Sequence, residues 1–215
     1  MYKSLGTIAF LFTSLASLGV SQTATPTPQP KVNARPSPTP AAEPYDGKKA
    51  ADMIGKCVSL DTESGVIDIE LFPESAPETV RNFLNLVATG LYDTTTFSRV
   101  VPGFVIQGGN IWTRTTAVSK PIGSRARRPL NDEPNPIRHE RGILSMAKTD
   151  EPNSATTDFF ILLESASYLD GKFAAFGRVT KGMDIVEAIN KMPVTEEKPE
   201  KPVRLNTAKI VACTP

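Results

Sequence analysis

Val66-Ile67-Asp68-Ile69-Glu70-Leu71-Phe72 alternates apolar and polar positions, which puts Ile67, Ile69 and Leu71 on one face of a half-buried strand. Cys57-Val58-Ser59-Leu60 is a second short run, and turn-forming residues 61–65 between the two predict a hairpin. The period then changes. Val80, Phe83, Leu84 and Val87 recur at helical spacing. Ser75-Ala76-Pro77-Glu78 ahead of them predicts a capping box, and Gly90 behind them suits the position just past a helix end. A second helix is predicted over residues 183–192, with Ile185, Val186, Ile189 and Met192 inward and Pro193 ending it. Short β-type runs occupy residues 96–101, 104–107, 143–147, 159–163, 174–180 and 205–212. Many strands, two separated helices and no regular β-α-β beat predict an all-β fold with two helices, an antiparallel sheet or barrel capped by helices.

The N-terminal residues follow neither pattern. Residues 1–21 read as an export signal: Lys3 supplies a positive start, residues 5–20 carry no charge, and Gly19, Ser21 and Thr23 are small enough for a cleavage site. The uncharged run is diluted by Ser, Thr and Gly and falls short of the roughly 20 strongly apolar residues of a spanning helix. An uncleaved N-terminal anchor is the alternative. Residues 22–44 hold 7 of the 19 prolines and almost no large apolar side chain, so they predict a Pro-rich disordered tether. Residues 45–215 remain as one domain.

The chain carries 24 Lys+Arg, 23 Asp+Glu and a single His, a net charge of +1. Residues 1–44 take three of the basic residues and one acidic, leaving the domain at 21 and 22, net −1. Such balance gives no electrostatic footprint for nucleic acid or an anionic membrane. One His and two Cys cannot build a Cys/His zinc site, and no metal is expected.

Few residues are left to carry chemistry. Arg99 stands in the apolar run Phe97-Ser98-Arg99-Val100-Val101, where a guanidinium must find a partner, open onto a pocket or lie on a solvated face. Gly108-Gly109 lacks the following GK[ST] and helix of a phosphate loop. His139 lies in a polar connection with no nucleophile motif nearby, and predicts a surface or structural role.

The segment Phe97-Ser98-Arg99-Val100-Val101-Pro102-Gly103-Phe104-Val105-Ile106-Gln107-Gly108-Gly109 resembles the signature of cyclophilins, the peptidyl-prolyl cis-trans isomerases. Gly142-Ile143-Leu144-Ser145-Met146-Ala147, Asn153-Ser154-Ala155, Asp158-Phe159-Phe160-Ile161, Tyr168-Leu169-Asp170-Gly171-Lys172 and Phe176-Gly177-Arg178-Val179 follow in the family's order. The likeness runs from about Cys57 to Ala212 and is closest to bacterial exported members.

The resemblance implies an eight-stranded antiparallel barrel capped by a helix at each end, rotation about X-Pro bonds, and no cofactor. By matched position, it implies that Arg99 is catalytic and Gln107 assists it. Phe104, Val105, Phe160 and Leu169 would line the proline pocket, Met146 would be core beneath it, and Ala147 and Lys148 would offer backbone groups to the substrate. Three rim positions depart from the family. Asp158 stands where many members carry Gln, and an anion there could pair with Arg99. Tyr168 replaces a Trp associated with cyclosporin binding, and Phe173 replaces a common His. Residues 111–128 also depart, and predict a solvated loop.

The implied partners are proline-containing polypeptides, met by a monomer that is periplasmic or secreted, with no stable membrane insertion once the signal is cleaved. The alternative function is a weakly catalytic peptide-binding chaperone module using the same groove. A disulfide between Cys57 and Cys213 is expected, because exported chains meet an oxidising space and the resembling fold makes the first and last strands antiparallel neighbours.

Overall fold

The computed structural model describes residues 42–213, and the expected export signal and most of the tether lie outside them. Glu43, at the end of the expected tether, belongs to the folded unit: its carboxylate ion-pairs with Arg125 and Arg128.

The described residues form ten strands: β1 (Lys56–Thr62), β2 (Gly65–Leu71), β3 (Arg99–Val101), β4 (Val105–Gly108), β5 (Ile143–Met146), β6 (Phe159–Leu162), β7 (Ala175–Lys181), β8 (Val194–Thr195), β9 (Lys198–Pro199) and β10 (Leu205–Ala212). Eight of them make one antiparallel sheet in the order β10-β1-β2-β7-β5-β6-β4-β3, and β8 and β9 form a separate hairpin. The large sheet curls until its edges meet. Thr96 bridges Arg204, Phe97 donates its amide to Val203 O at 3.0 Å, and Leu205 donates to Thr95 O at 2.8 Å. The alternation in residues 66–72 holds, since Ile67 and Ile69 are fully buried and Leu71 nearly so.

Among the described residues four helices accompany the sheet, two more than the periodicity predicts: α1 (Ala50–Met53), α2 (Pro77–Ala88), α3 (Lys120–Ala126) and α4 (Met183–Asn190). The extra pair, α1 and α3, are four and seven residues long, too short to display a 3.6-residue repeat. Helix α2 seats Val80, Phe83, Leu84 and Val87 in the core, and α4 contributes Val186 and Ile189, leaving Ile185 and Met192 only partly covered. Phe83 meets Phe159 edge-to-face at 5.5 Å and Phe176 at 5.0 Å, with Tyr92 5.6 Å from Phe159. At about 25 cal/mol per Å² of apolar surface, each of these enclosed rings contributes several kcal/mol. The Tyr92 hydroxyl donates to Thr157 O at 2.8 Å, and burial holds its pKa well above the ordinary value.

The start of α2 departs from the capping box. Ala76, not Ser75, is the N-cap, and no side chain of that segment caps the helix. Glu133 supplies both acceptors from 55 residues away: Oε1 accepts from Glu78 N at 2.9 Å and Oε2 from Thr79 N at 2.7 Å. A carboxylate at a helix N-terminus also meets the positive end of the macrodipole. Glu133→Ala is therefore expected to destabilise the domain by about 1 kcal/mol, read as a lower urea midpoint at unchanged slope. The far end of α2 behaves as expected. Gly90 takes φ +66°, with Gly90 N donating to Val87 O and Leu91 N to Leu86 O, a Schellman closure.

The disulfide Cys57–Cys213 is formed, with a Cα–Cα distance of 5.0 Å, and ties the start of β1 to the residue after β10. Among the described residues no helix is long and apolar enough to cross a membrane.

Candidate active site

Strands β3 and β4 are joined by Val101-Pro102-Gly103-Phe104, with Phe104 N donating to Val101 O at 3.0 Å and Gly103 at φ +75°. Proline followed by glycine is what a type II turn requires. Buried Asn190, at the end of α4, fastens this turn. Its Oδ1 accepts from Gly103 N at 2.7 Å, and its Nδ2 donates to Val101 O and Val105 O. The turn thus fixes Arg99 and Phe104 on either side of it, with Arg99 opposite Gln107 in the β3–β4 register.

Ten side chains enclose a cavity of about 260 Å³. Phe104, Val105, Phe160 and Leu169 form its apolar wall, with Tyr168 and Phe173 on the rim. Tyr168 lies 6.2 Å from Phe104 and is 60% exposed, and Phe173 meets Phe160 edge-to-face at 5.9 Å. Arg99, Gln107, Ala147 and Lys148 complete the lining. Met146 is buried in the main core and does not line this cavity. Of the remaining residues singled out in the sequence, Asp158 alone faces elsewhere, into a neighbouring groove of about 490 Å³ that shares Gln107, Ala147 and Lys148 with the first.

The polar groups form a chain. Arg99 Nε donates to Glu197 Oε2 at 2.7 Å, and its Nη1 donates to Gln107 Oε1 at 3.3 Å. Gln107 Nε2 then reaches Asp158 Oδ2 at 3.5 Å. Asp158 therefore does not make the pair with Arg99 that its charge allows; Gln107 stands between them. Burial holds the Asp158 carboxyl above its usual range, partly offset by hydrogen bonds from Thr157 and Gln107.

A carboxyl whose folded pKa is raised stabilises the fold below its unfolded pKa, and that stabilisation is lost as pH rises through the folded value. Near neutral pH the charge is thus a net liability. Asp158→Gln is expected to raise the melting temperature near neutral pH, to lose that advantage by about pH 3, and to keep substantial isomerase activity. An equal gain at both pH values would sink the explanation.

Glycine at 109 has a packing reason. It sits at φ +89°, and a Cβ there would lie 2.4 Å from Thr157 O, so the Gly108-Gly109 pair lets the Asp158 strand approach rather than cradling phosphate. His139 is structural but not on the surface. It is 1% exposed, its backbone N donates to Asp170 Oδ1 at 2.8 Å, and its ring bridges Asp170 at 2.9 Å and Ser145 at 3.1 Å. These bonds hold the Asp170 carboxyl below its usual range and pin the turn that carries Tyr168 and Leu169.

Residues 111–128 are not simply a solvated loop: Ile111 and Ala126 are buried, and Arg127 stacks 4.6 Å over Trp112 at the mouth of the larger groove. The roles of Glu197, Asn190 and Asp170 have no signal in the local sequence. The left-handed turn at Glu196-Glu197 carries no Gly, Asn or Asp to mark it.

A curled eight-stranded antiparallel sheet thus carries an apolar slot beside an arginine. The comparisons agree: the model of the family "Cyclophilin type peptidyl-prolyl cis-trans isomerase/CLD" matches residues 57–210, and the chain belongs to that family. It is 36% identical over 166 residues to peptidyl-prolyl cis-trans isomerase A of Dickeya dadantii, covering 72% of this chain and 84% of the relative. It is also 36% identical over 165 residues to a peptidyl-prolyl cis-trans isomerase of Acinetobacter baylyi, covering 71% and 84%. Among solved structures, a Cryptosporidium parvum cyclophilin crystallised in the presence of the dipeptide Ala-Pro superposes with a TM-score of 0.64 at 30% identity, covering 73% of this chain and 99% of that one.

Proposed function

We propose that this isomerase grips the proline ring of an extended polypeptide between Phe104, Val105, Phe160 and Leu169, and that Arg99 is its catalytic residue. X-Pro rotation is slow because amide resonance gives the C–N bond partial double-bond character, with a barrier of ~18–20 kcal/mol. No bond is made or broken, so neither nucleophile nor acid–base pair is required. A donor fixed beside the pocket stabilises the prolyl nitrogen lone pair as it pyramidalises, which favours the twisted state over either planar one. Arginine suits this because it stays protonated.

The observation that carries the proposal is the Arg99 guanidinium at the mouth of an apolar slot, held on two sides by Glu197 and Gln107. Gln107 keeps the guanidinium against the slot, and Ala147 and Lys148 border the path of the substrate chain. A protease-coupled assay on an Ala-Pro peptide tests the activity.

The same proposal extends to location. Residues 1–21 direct export, the Pro-rich residues that follow as far as the folded unit tether the domain, and the clients are other exported polypeptides, for which X-Pro isomerisation limits folding for tens of seconds. The Cys57–Cys213 disulfide supports an oxidising compartment.

A further inference from the structure

We infer that Glu197 is a positioning residue for Arg99, holding the guanidinium in its working orientation; the inference rests on Arg99 being the catalytic group. The hairpin of β8 and β9 pairs Val194 with Pro199 and Thr195 with Lys198, which leaves Glu196-Glu197 as a two-residue loop. Both loop residues take positive φ, +49° and +63°. Such a loop favours Asn, Asp or Gly, because an L side chain at positive φ crowds its own carbonyl. Glutamate at both positions opposes local preference, and local strain of this kind persists where the surroundings over-determine it.

Two contacts over-determine Glu197. Its carbonyl oxygen accepts from Val100 N at 2.8 Å, which seats the turn on β3 next to Arg99. Its carboxylate accepts from Arg99 Nε at 2.7 Å. Glycine would satisfy the first contact with less strain and could not make the second, so the carboxylate is what a glutamate adds here.

The geometry assigns a division of labour to the guanidinium. Glu197 takes the Nε edge, Gln107 accepts from Nη1, and the remaining N–H groups are left for the slot. The pair is half-exposed, with side chains 45% and 48% accessible, so its effect is on the orientation of one flexible side chain more than on the stability of the fold. Glu196 makes no ion pair among the described residues and serves as the internal control.

The test measures kcat and KM on an Ala-Pro peptide, together with the urea midpoint, for Glu197→Gln, Glu197→Gly, Glu196→Gln and Arg99→Ala in the full chain. Glu197→Gly is expected to lower kcat about tenfold with little change in KM, since the apolar slot still binds the ring, whereas Glu197→Gln, whose amide oxygen can still accept from Nε, should keep most of the parental kcat. Glu197→Gly should do so while its urea midpoint stays level or rises, because glycine relieves the positive φ. Glu196→Gln should match the parent. Parental kcat in Glu197→Gly, or a loss confined to KM, overturns the assignment of Glu197. If Arg99→Ala itself turns over at the parental rate, the failure belongs to Arg99 and not to Glu197.

Discussion

Arg99→Ala is expected to lower turnover of an Ala-Pro peptide by about 100- to 1,000-fold, the loss found when a preorganised donor to a transition state is removed. The domain should stay folded. The Arg99 side chain is 45% exposed and its partners Glu197 and Gln107 both reach solvent, so no buried charge is orphaned by the change. Stopped-flow protease-coupled rates, taken alongside a circular dichroism spectrum, decide the matter. Parental turnover in a folded variant would remove Arg99 from the mechanism. Because the slot walls are untouched, the loss should lie in kcat rather than KM. Lysine at the same position should rescue poorly, since a point charge cannot hold Glu197 and Gln107 on separate edges and still present a donor.

The second large effect is on stability. Replacing both Cys57 and Cys213 with Ser is expected to lower the unfolding free energy by as much as about 4–5 kcal/mol. The bridge spans 156 residues, so breaking it frees a long loop in the unfolded chain. Set against a total of about 5–15 kcal/mol for a domain, this is a large share. A urea titration with and without reductant measures it, and the denatured, unreduced protein should show no free thiol. A midpoint shift worth less than about 1 kcal/mol would mean that the unfolded chain without the bridge retains structure that already restricts it.

Much of this architecture was legible from short-range pattern. Ile67, Ile69 and Leu71 alternate because one face of β2 is core, and Val80, Phe83, Leu84 and Val87 mark the inward stripe of α2. The slot residues were legible by another route, the family resemblance, which placed Phe104, Val105, Phe160 and Leu169 around one cavity. What escaped was supplied from a distance. Glu133 caps α2 across 55 residues, Asn190 fastens a turn 87 residues before it, and Glu197 reaches Arg99 across 98. No window of sequence carries the signal for such contacts, because each is specified by the closed sheet and not by its neighbours. Asp158 shows the converse: its charge was legible, but the place of Gln107 between it and Arg99 was not.

The strand order has a kinetic consequence. β1 is sandwiched between β2, which directly follows it, and β10, which ends the sheet's sequence. A chain emerging N-terminus first at about 5–20 residues per second leaves the outer edge of β1 without its neighbour for roughly 8–30 s. The curled sheet cannot shut earlier either, because residues 203–205 are what Thr95 and Phe97 pair with. Long-range closure of this kind places folding in the milliseconds-to-seconds class even after release. During that interval the apolar face of the first hairpin is open to holding factors or to self-association, so the step most exposed to failure in the life of this isomerase is the arrival of its own last strand.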